Sequence, residues 1–153
     1  MINVNTITFR KADPGDTPQL IELLRALFAI EEDFLFNEEK QRVGLQLMLD
    51  NQRGYVAVAE KAGTIIGMCT GQLTISTAEG GPALLVEDVV VTKKWRSQGV
   101  GKQLMAEVSR WAEHMGVSRL QLLADKTNSE ALDFYKSLGW QSTQLICLRK
   151  YIQ

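Results

Sequence analysis

Residues Leu84–Lys102 read LLVEDVVVTKKWRSQGVGK, and the fold turns on them. Leu84–Val91 is an apolar run rich in β-branched residues, the pattern of a buried strand, broken only by Glu87 and Asp88. Two glycines follow, Gly99 and Gly101. After them Val100, Leu104, Met105, Val108, Trp111, Ala112 and Met115 recur at helical spacing, with Lys102, Gln103, Glu107, Arg110 and Glu113 on the other face. A glycine loop between a strand and a helix N-terminus presents free N–H groups and the positive end of a helix dipole, which suits an anion. The same glycines could instead do no more than shape a tight strand-to-helix turn.

Outward from this centre the signals are consistent. Thr6–Lys11 (TITFRK) alternates as a half-buried strand, and ADPGD turns the chain. Thr17-Pro18 opens a helix marked by Leu20, Leu23, Leu24, Leu27 and Phe28. An acidic and aromatic connector, AIEEDFLFNEEK, precedes a second helix around Val43, Leu45, Leu47, Met48 and Leu49. YVAVAE, the turn KAGT and IIGMCTGQLTI predict two antiparallel strands. Past Gly116, RLQLLA predicts a strand, Asn128 an N-cap for the helix SEALDFYKSL, and QSTQLICLRKYI one or two last strands. The expected architecture is one α/β (α+β) domain over residues 1–153: a mixed, mostly antiparallel sheet of six to seven strands flanked by about four helices.

Composition narrows the function. The 153 residues carry a net charge of −1, so no broad basic footprint is offered to nucleic acid or to an anionic membrane. No apolar run approaches the roughly 18 residues of a membrane helix. A cytoplasmic protein is the simplest expectation. Cys69 and Cys147 lie in apolar segments and suggest no disulfide framework.

The glycine loop fits neither common nucleotide motif. A Walker loop would need a glycine at Arg96 and a Ser or Thr at Gln103, and the dinucleotide fingerprint would need a glycine at Leu104. What R-S-Q-G-V-G does resemble is the [RQ]-x-x-G-x-[GA] motif of the GCN5-related N-acetyltransferase (GNAT) family. ADKTNSEALDFYKSLGW is similar to that family's second cofactor motif, and the order of elements matches over nearly the whole chain. The resemblance implies the acyl-CoA N-acyltransferase fold, acetyl-CoA as acyl donor and no metal. The backbone of Gln98, Gly99, Val100, Gly101 and Lys102, opened by Arg96, would cradle the coenzyme A pyrophosphate. Val89 and Val91 would pair with the pantetheine arm, Asn128 would contact the same arm, and the Val90 N–H would donate to the thioester carbonyl.

Acyl transfer to an amine needs a neutral nucleophile, an oxyanion donor and an acid near the departing sulfur. Tyr135, two helical turns beyond Asn128, is by resemblance that acid; it could equally be a core tyrosine. Glu87 and Asp88 are the carboxylates of an apolar strand, and strand alternation sends them to opposite faces. The resemblance implies Glu87 as the base, acting through water, although a strand-end ion pair would also explain it. Glu31, Glu32 and Phe36 in the acidic connector, with Asp88, are the candidate acceptor-binding residues, because carboxylates beside aromatic faces suit a cationic amine. A solvated acidic loop is the alternative. The expected activity is acetyl transfer from acetyl-CoA to a primary amine of a small molecule or peptide by direct attack in a ternary complex; the rival is an acyl-CoA-binding sensor without turnover. The resemblance also allows a homodimer with QLICLRKYI at its interface.

Overall fold

The computed structural model describes residues 6–31 and 33–153. The chain divides into two compact units, one ending at Leu122 and the other comprising Leu123–Gln153.

In the first unit, β1 (Thr8–Lys11) leads through a 3-10 turn (Pro14–Asp16) into α1 (Thr17–Ile30) and α2 (Glu38–Leu49). Then come β2 (Gly54–Lys61), β3 (Thr64–Ser76), β4 (Gly81–Val91), a second 3-10 turn (Lys93–Trp95), α3 (Val100–His114) and β5 (Leu120–Leu122). The strands form one sheet in the order β1-β2-β3-β4-β5. The first four are antiparallel, and β4 pairs parallel to β5 across the α3 crossover.

Alternation along the strands builds a core on each face. On one side Val56, Val58, Met68 and Val90 meet Leu20, Ile21, Leu23 and Leu24 of α1 and Leu45 of α2. Burying each of these side chains contributes roughly 1.5–3 kcal/mol. On the other side α3 lays Leu104, Met105, Val108 and Ala112 on the sheet. Its approach is close enough to require glycine beneath it: a Cβ at Gly71 would sit 3.0 Å from both Leu84 Cδ2 and Val108 Cγ1.

The start of α1 is held by an ion-pair cluster. Arg10 of β1 donates through Nη1 and Nη2 to the two Asp16 carboxylate oxygens at 2.8 and 2.9 Å, and through Nε to Glu60 of β2 at 2.8 Å. Asp16 also accepts the Asp13 N–H at 2.9 Å, while Asp13 accepts from Gly15, a reciprocal cap on the 3-10 turn. Asp16 is 7% exposed. One bidentate contact thus joins strand, turn and helix.

In the second unit the Asn128 side chain caps α4 (Ser129–Ser137) by accepting the Ala131 N–H at 3.1 Å. Gly139 (φ +91°) ends the helix in the left-handed conformation that glycine favours. Among the described residues the sheet has five strands, not the expected six to seven, because QSTQLICLRKYI forms none. Leu145, Ile146, Leu148, Tyr151 and Ile152 are all exposed. Alternation marks the two faces of a prospective strand, but a strand also needs a partner edge for its N–H and C=O groups, and this unit contains none.

Replacing Asp16 by Ala leaves Arg10 without its bidentate partner and should lower stability by about 2–3 kcal/mol. Urea unfolding should show a lower midpoint with an unchanged slope. Arg10 holds the Asp16 carboxyl below its ordinary value, so this stabilisation is complete above about pH 4 and lost as the pH falls below it. The gap between wild type and Asp16→Ala should close in acid.

Candidate functional site

The site in the first unit begins with one extra residue. Met68 pairs with Val90 and Thr70 with Glu87, so between these rungs Cys69 of β3 faces both Asp88 and Val89 of β4. This is a β-bulge. Asp88 takes the left-handed backbone at φ +52°, which costs a non-glycine residue about 1 kcal/mol or more and in folded proteins concentrates at functional positions. Asp and Asn tolerate it best, since their short side chains hydrogen-bond locally.

The bulge undoes the expected separation of the two carboxylates. Asp88 Oδ2 lies 3.3 Å from Thr70 Oγ1, and Thr70 is the cross-strand partner of Glu87. Thr70 also reaches the Glu87 carbonyl at 3.1 Å. Burial, then the nearby Glu87 charge, push the Asp88 carboxyl up to about 6; the Thr70 hydrogen bond pulls the other way, and Glu31 at the end of α1 raises it further. Three carboxylates therefore share one region, of which Glu87 is exposed and Asp88 half-buried.

The bulge also marks where β4 loses its parallel neighbour. The β4–β5 register covers only Leu84–Val86 against Leu120–Leu122, so Glu87–Val91 has an open edge on that side. The Thr92 N–H donates to Ile66 of β3 at 2.9 Å. Because successive backbone groups alternate between the two edges, Val91 N–H and Val89 C=O face the open edge, whereas Val90 faces β3 in its pairing with Met68. The Val91 carbonyl is taken by Arg96 Nε at 2.9 Å. Arg96 thus braces the loop back onto the strand.

That loop leads into α3. Ser97 (φ +60°) and Gly99 (φ +83°) are both left-handed, and the Gln98 amide donates to Lys94 C=O at 3.0 Å. Gly99 is the N-cap of α3 and has no side chain to satisfy the first N–H groups of the helix, and nothing lies within 4 Å of where its Cβ would be. The N–H groups of Val100, Gly101 and Lys102 have no acceptor within the helix. A hydrogen-bonding edge that runs into an uncapped helix N-terminus fits a ligand with an amide-bearing arm and an anionic end.

The remaining candidates are placed as follows. Phe36 packs against the α1 core with the Arg25 guanidinium 4.3 Å over its ring, which ties that aromatic face to the protein. Glu32 lies outside the described residues. In the second unit, capping occupies Asn128 Oδ1 and leaves its amide hydrogens as donors. Tyr135 packs against Phe134 in a tilted and against Trp140 in an edge-on arrangement, at ring separations of 5.2 and 6.1 Å. Thr70 was not singled out from the sequence; its only signal is a hydroxyl in the apolar stretch IIGMCTGQL. Among the described residues no three His, Cys, Asp or Glu side chains group to hold a metal ion, and no helix is long and apolar enough to cross a membrane.

Comparison with known proteins shows the family and the fold. The sequence pattern of the acetyltransferase (GNAT) family matches residues 18–140. Thialysine N-epsilon-acetyltransferase of Bos taurus is 27% identical over 146 residues, covering 88% of this chain and 84% of its own. Aminoglycoside N(6')-acetyltransferase type 1 of Salmonella typhimurium is 24% identical over 103 residues, 65% of this chain and 70% of that one. Among solved structures, an aminoglycoside acetyltransferase from an uncultured soil metagenomic sample, in complex with sisomicin, superimposes with TM-score 0.77 at 25% identity over 96% of both chains. An aminoglycoside N-acetyltransferase, AAC(6')-Iy in complex with CoA, shares the fold at TM-score 0.84 and 18% identity, over 99% of this chain and 98% of that one.

The Asp88 carboxylate should cost stability when ionised. Its folded value of about 6 lies above the ordinary 3.8, so the cost is full above pH 6 and disappears as the pH falls toward 4. Asp88→Asn keeps the left-handed backbone without the charge. At pH 8 it should be more stable than wild type by no more than about 3 kcal/mol, with the gap closing between pH 6 and 4. Thermal melts across that range check this, and a gap that widens in acid would contradict it.

Proposed function

The chain belongs to the GNAT acetyltransferase family and is an N-acetyltransferase, and on that premise we propose that it transfers acetyl from acetyl-CoA to a primary amine of a small cationic molecule by direct attack in a ternary complex. The observation that carries the acceptor class is the convergence of Asp88, Glu87 and Glu31 beside the open edge of β4. Carboxylates gathered at one place favour an ammonium substrate over a neutral or anionic one. The relatives named for aminoglycosides and thialysine act on amines of that kind.

The residues fit acetyl-CoA. Val91 N–H and Val89 C=O offer one donor and one acceptor to an amide-bearing arm, and the uncapped N–H groups of Val100, Gly101 and Lys102 suit its pyrophosphate. When bound, acetyl-CoA supplies the activated acyl group. Asn128 is a proposed cofactor contact on the family resemblance of its motif.

Each chemical role then has a residue. Asp88 is the proposed base: a carboxyl near 6 is ionised at neutral pH yet basic enough to accept a proton from the amine as it attacks. Glu87, exposed and adjacent, recruits the ammonium group and relays its proton through water. For the oxyanion donor the Val90–Val91 backbone is the proposed source. Alternation favours Val91 N–H over Val90 N–H, because the former faces the open edge. Tyr135 is the proposed acid for the departing thiolate, on the family resemblance of its motif. Treatment of the two units as one acetyltransferase domain belongs to the same proposal, supported by the family match running from 18 to 140. So do a cytoplasmic location and a homodimer.

The test is release of free thiol from acetyl-CoA against a panel of polyamines, aminoglycosides, amino acids and peptides. Turnover with cationic small amines is expected, and acetyl-CoA binding without turnover on any amine would sink the reading. Asp88→Asn should lower kcat by about 10²-fold or more and remove the acid limb of the pH profile. Tyr135→Phe should lower kcat more than it weakens acetyl-CoA binding.

The loop makes a separate prediction. Gly99→Pro cannot adopt φ +83° and should abolish acetyl-CoA binding in calorimetry, as should Gly101→Val by crowding the cradle. Lys102→Ala leaves the backbone donors in place and should only weaken it.

A further inference from the structure

Thr70 is a buried polar residue that the proposed chemistry leaves without a role. It is 1% exposed, on β3, two residues from Met68, which lies in the apolar core beneath α1. A threonine hydroxyl has one proton to donate. Two acceptors stand within its reach, the Glu87 carbonyl at 3.1 Å and Asp88 Oδ2 at 3.3 Å, and they flank the start of the bulge. We propose that Thr70 is a positioning residue for acyl transfer, whose hydroxyl donates to ionised Asp88 to hold that carboxylate in its aim, and returns to the Glu87 carbonyl when Asp88 is protonated. The proposal rests on the reading of Asp88 as the base.

Asp88 sits in a left-handed backbone position, so its carboxylate direction is set by whatever hydrogen bond it finds nearby. Thr70 is the cross-strand partner of Glu87, so one hydroxyl spans both sides of the point where the ladder slips. An anionic acceptor outcompetes a neutral carbonyl for a shared proton, since charge-assisted hydrogen bonds are roughly twice as strong. The titratable groups facing Asp88 are Glu87 on its own strand, Glu31 at the end of α1 and the Cys69 thiol on β3. Glu87 and Glu31 oppose ionisation of Asp88, burial pushes the Cys69 thiol well above its range and keeps it neutral, and Thr70 is the group that favours the charged form.

The deciding measurement is an NMR titration of the Asp88 carboxyl carbon, assigned by its loss in Asp88→Asn. Thr70→Val, nearly the same shape without the hydroxyl, should raise the midpoint by about one pH unit. Thr70→Ser should restore it, and the acid limb of kcat/KM should move with the midpoint while KM for acetyl-CoA stays unchanged. In the unmodified protein the Thr70 methyl resonance should titrate with the same midpoint as Asp88 and become flat in Asp88→Asn, a readout independent of whether the valine variant folds. An Asp88 midpoint unmoved by Thr70→Val, or a Thr70 methyl that does not titrate in wild type, overturns the inference. The two readings fail separately: if no amine is acetylated but the midpoint moves, Thr70 controls Asp88 and the proposed acceptor chemistry is wrong. If turnover needs Asp88 but the midpoint is indifferent to Thr70, the base stands and Thr70 is only core.

Discussion

One extra residue in β4, opposite Cys69, is the constraint on which the rest of the site depends. A regular ladder would have continued the antiparallel pairing and sent Glu87 and Asp88 to opposite faces. The slip twists Asp88 into a left-handed conformation, turns its carboxylate to Thr70 and brings it into electrostatic contact with Glu87 and Glu31. It coincides with the end of the β4–β5 register, so the same short segment supplies a charged cluster and an open hydrogen-bonding edge. Bulges disrupt pairing and re-aim a side chain, and both consequences are visible here.

The site is assembled at the expense of local stability. A non-glycine left-handed residue, a half-buried carboxylate facing like charge and an unpaired strand edge each work against folding. The surrounding structure offsets them. Two apolar cores grip the sheet from opposite faces, glycines let α3 approach closely, and the Arg10 cluster locks the first strand to the start of α1. Arg96 closes the far end by bracing Val91, so the loop into α3 is held by the strand it leaves.

Much of this was legible in LLVEDVVVTKKWRSQGVGK and its surroundings. Periodicity marks the four helices and the antiparallel strands, because burial of one face imposes spacings of 3.6 and 2 on any sequence that folds this way. Gly99 marks the turn into α3, since the left-handed backbone there excludes most other residues. The C-terminal stretch QLICLRKYI misled for the complementary reason: alternation records two faces, while the edge that would pair with them leaves no local trace.

What the sequence determined by itself was therefore the class of most elements up to α4, the glycine loop between β4 and α3 and the presence of two carboxylates in an apolar strand. The tertiary structure alone decided how those groups act. Register is a relation between two strands, and nothing in VEDVV records that Cys69 faces two residues rather than one. The direction of the Val90 and Val91 backbone groups, the occupation of the Val91 carbonyl by Arg96 and the pull of Thr70 on Asp88 follow from that relation. Each depends on residues brought within about 3 Å across the fold, at distances that local propensity does not encode.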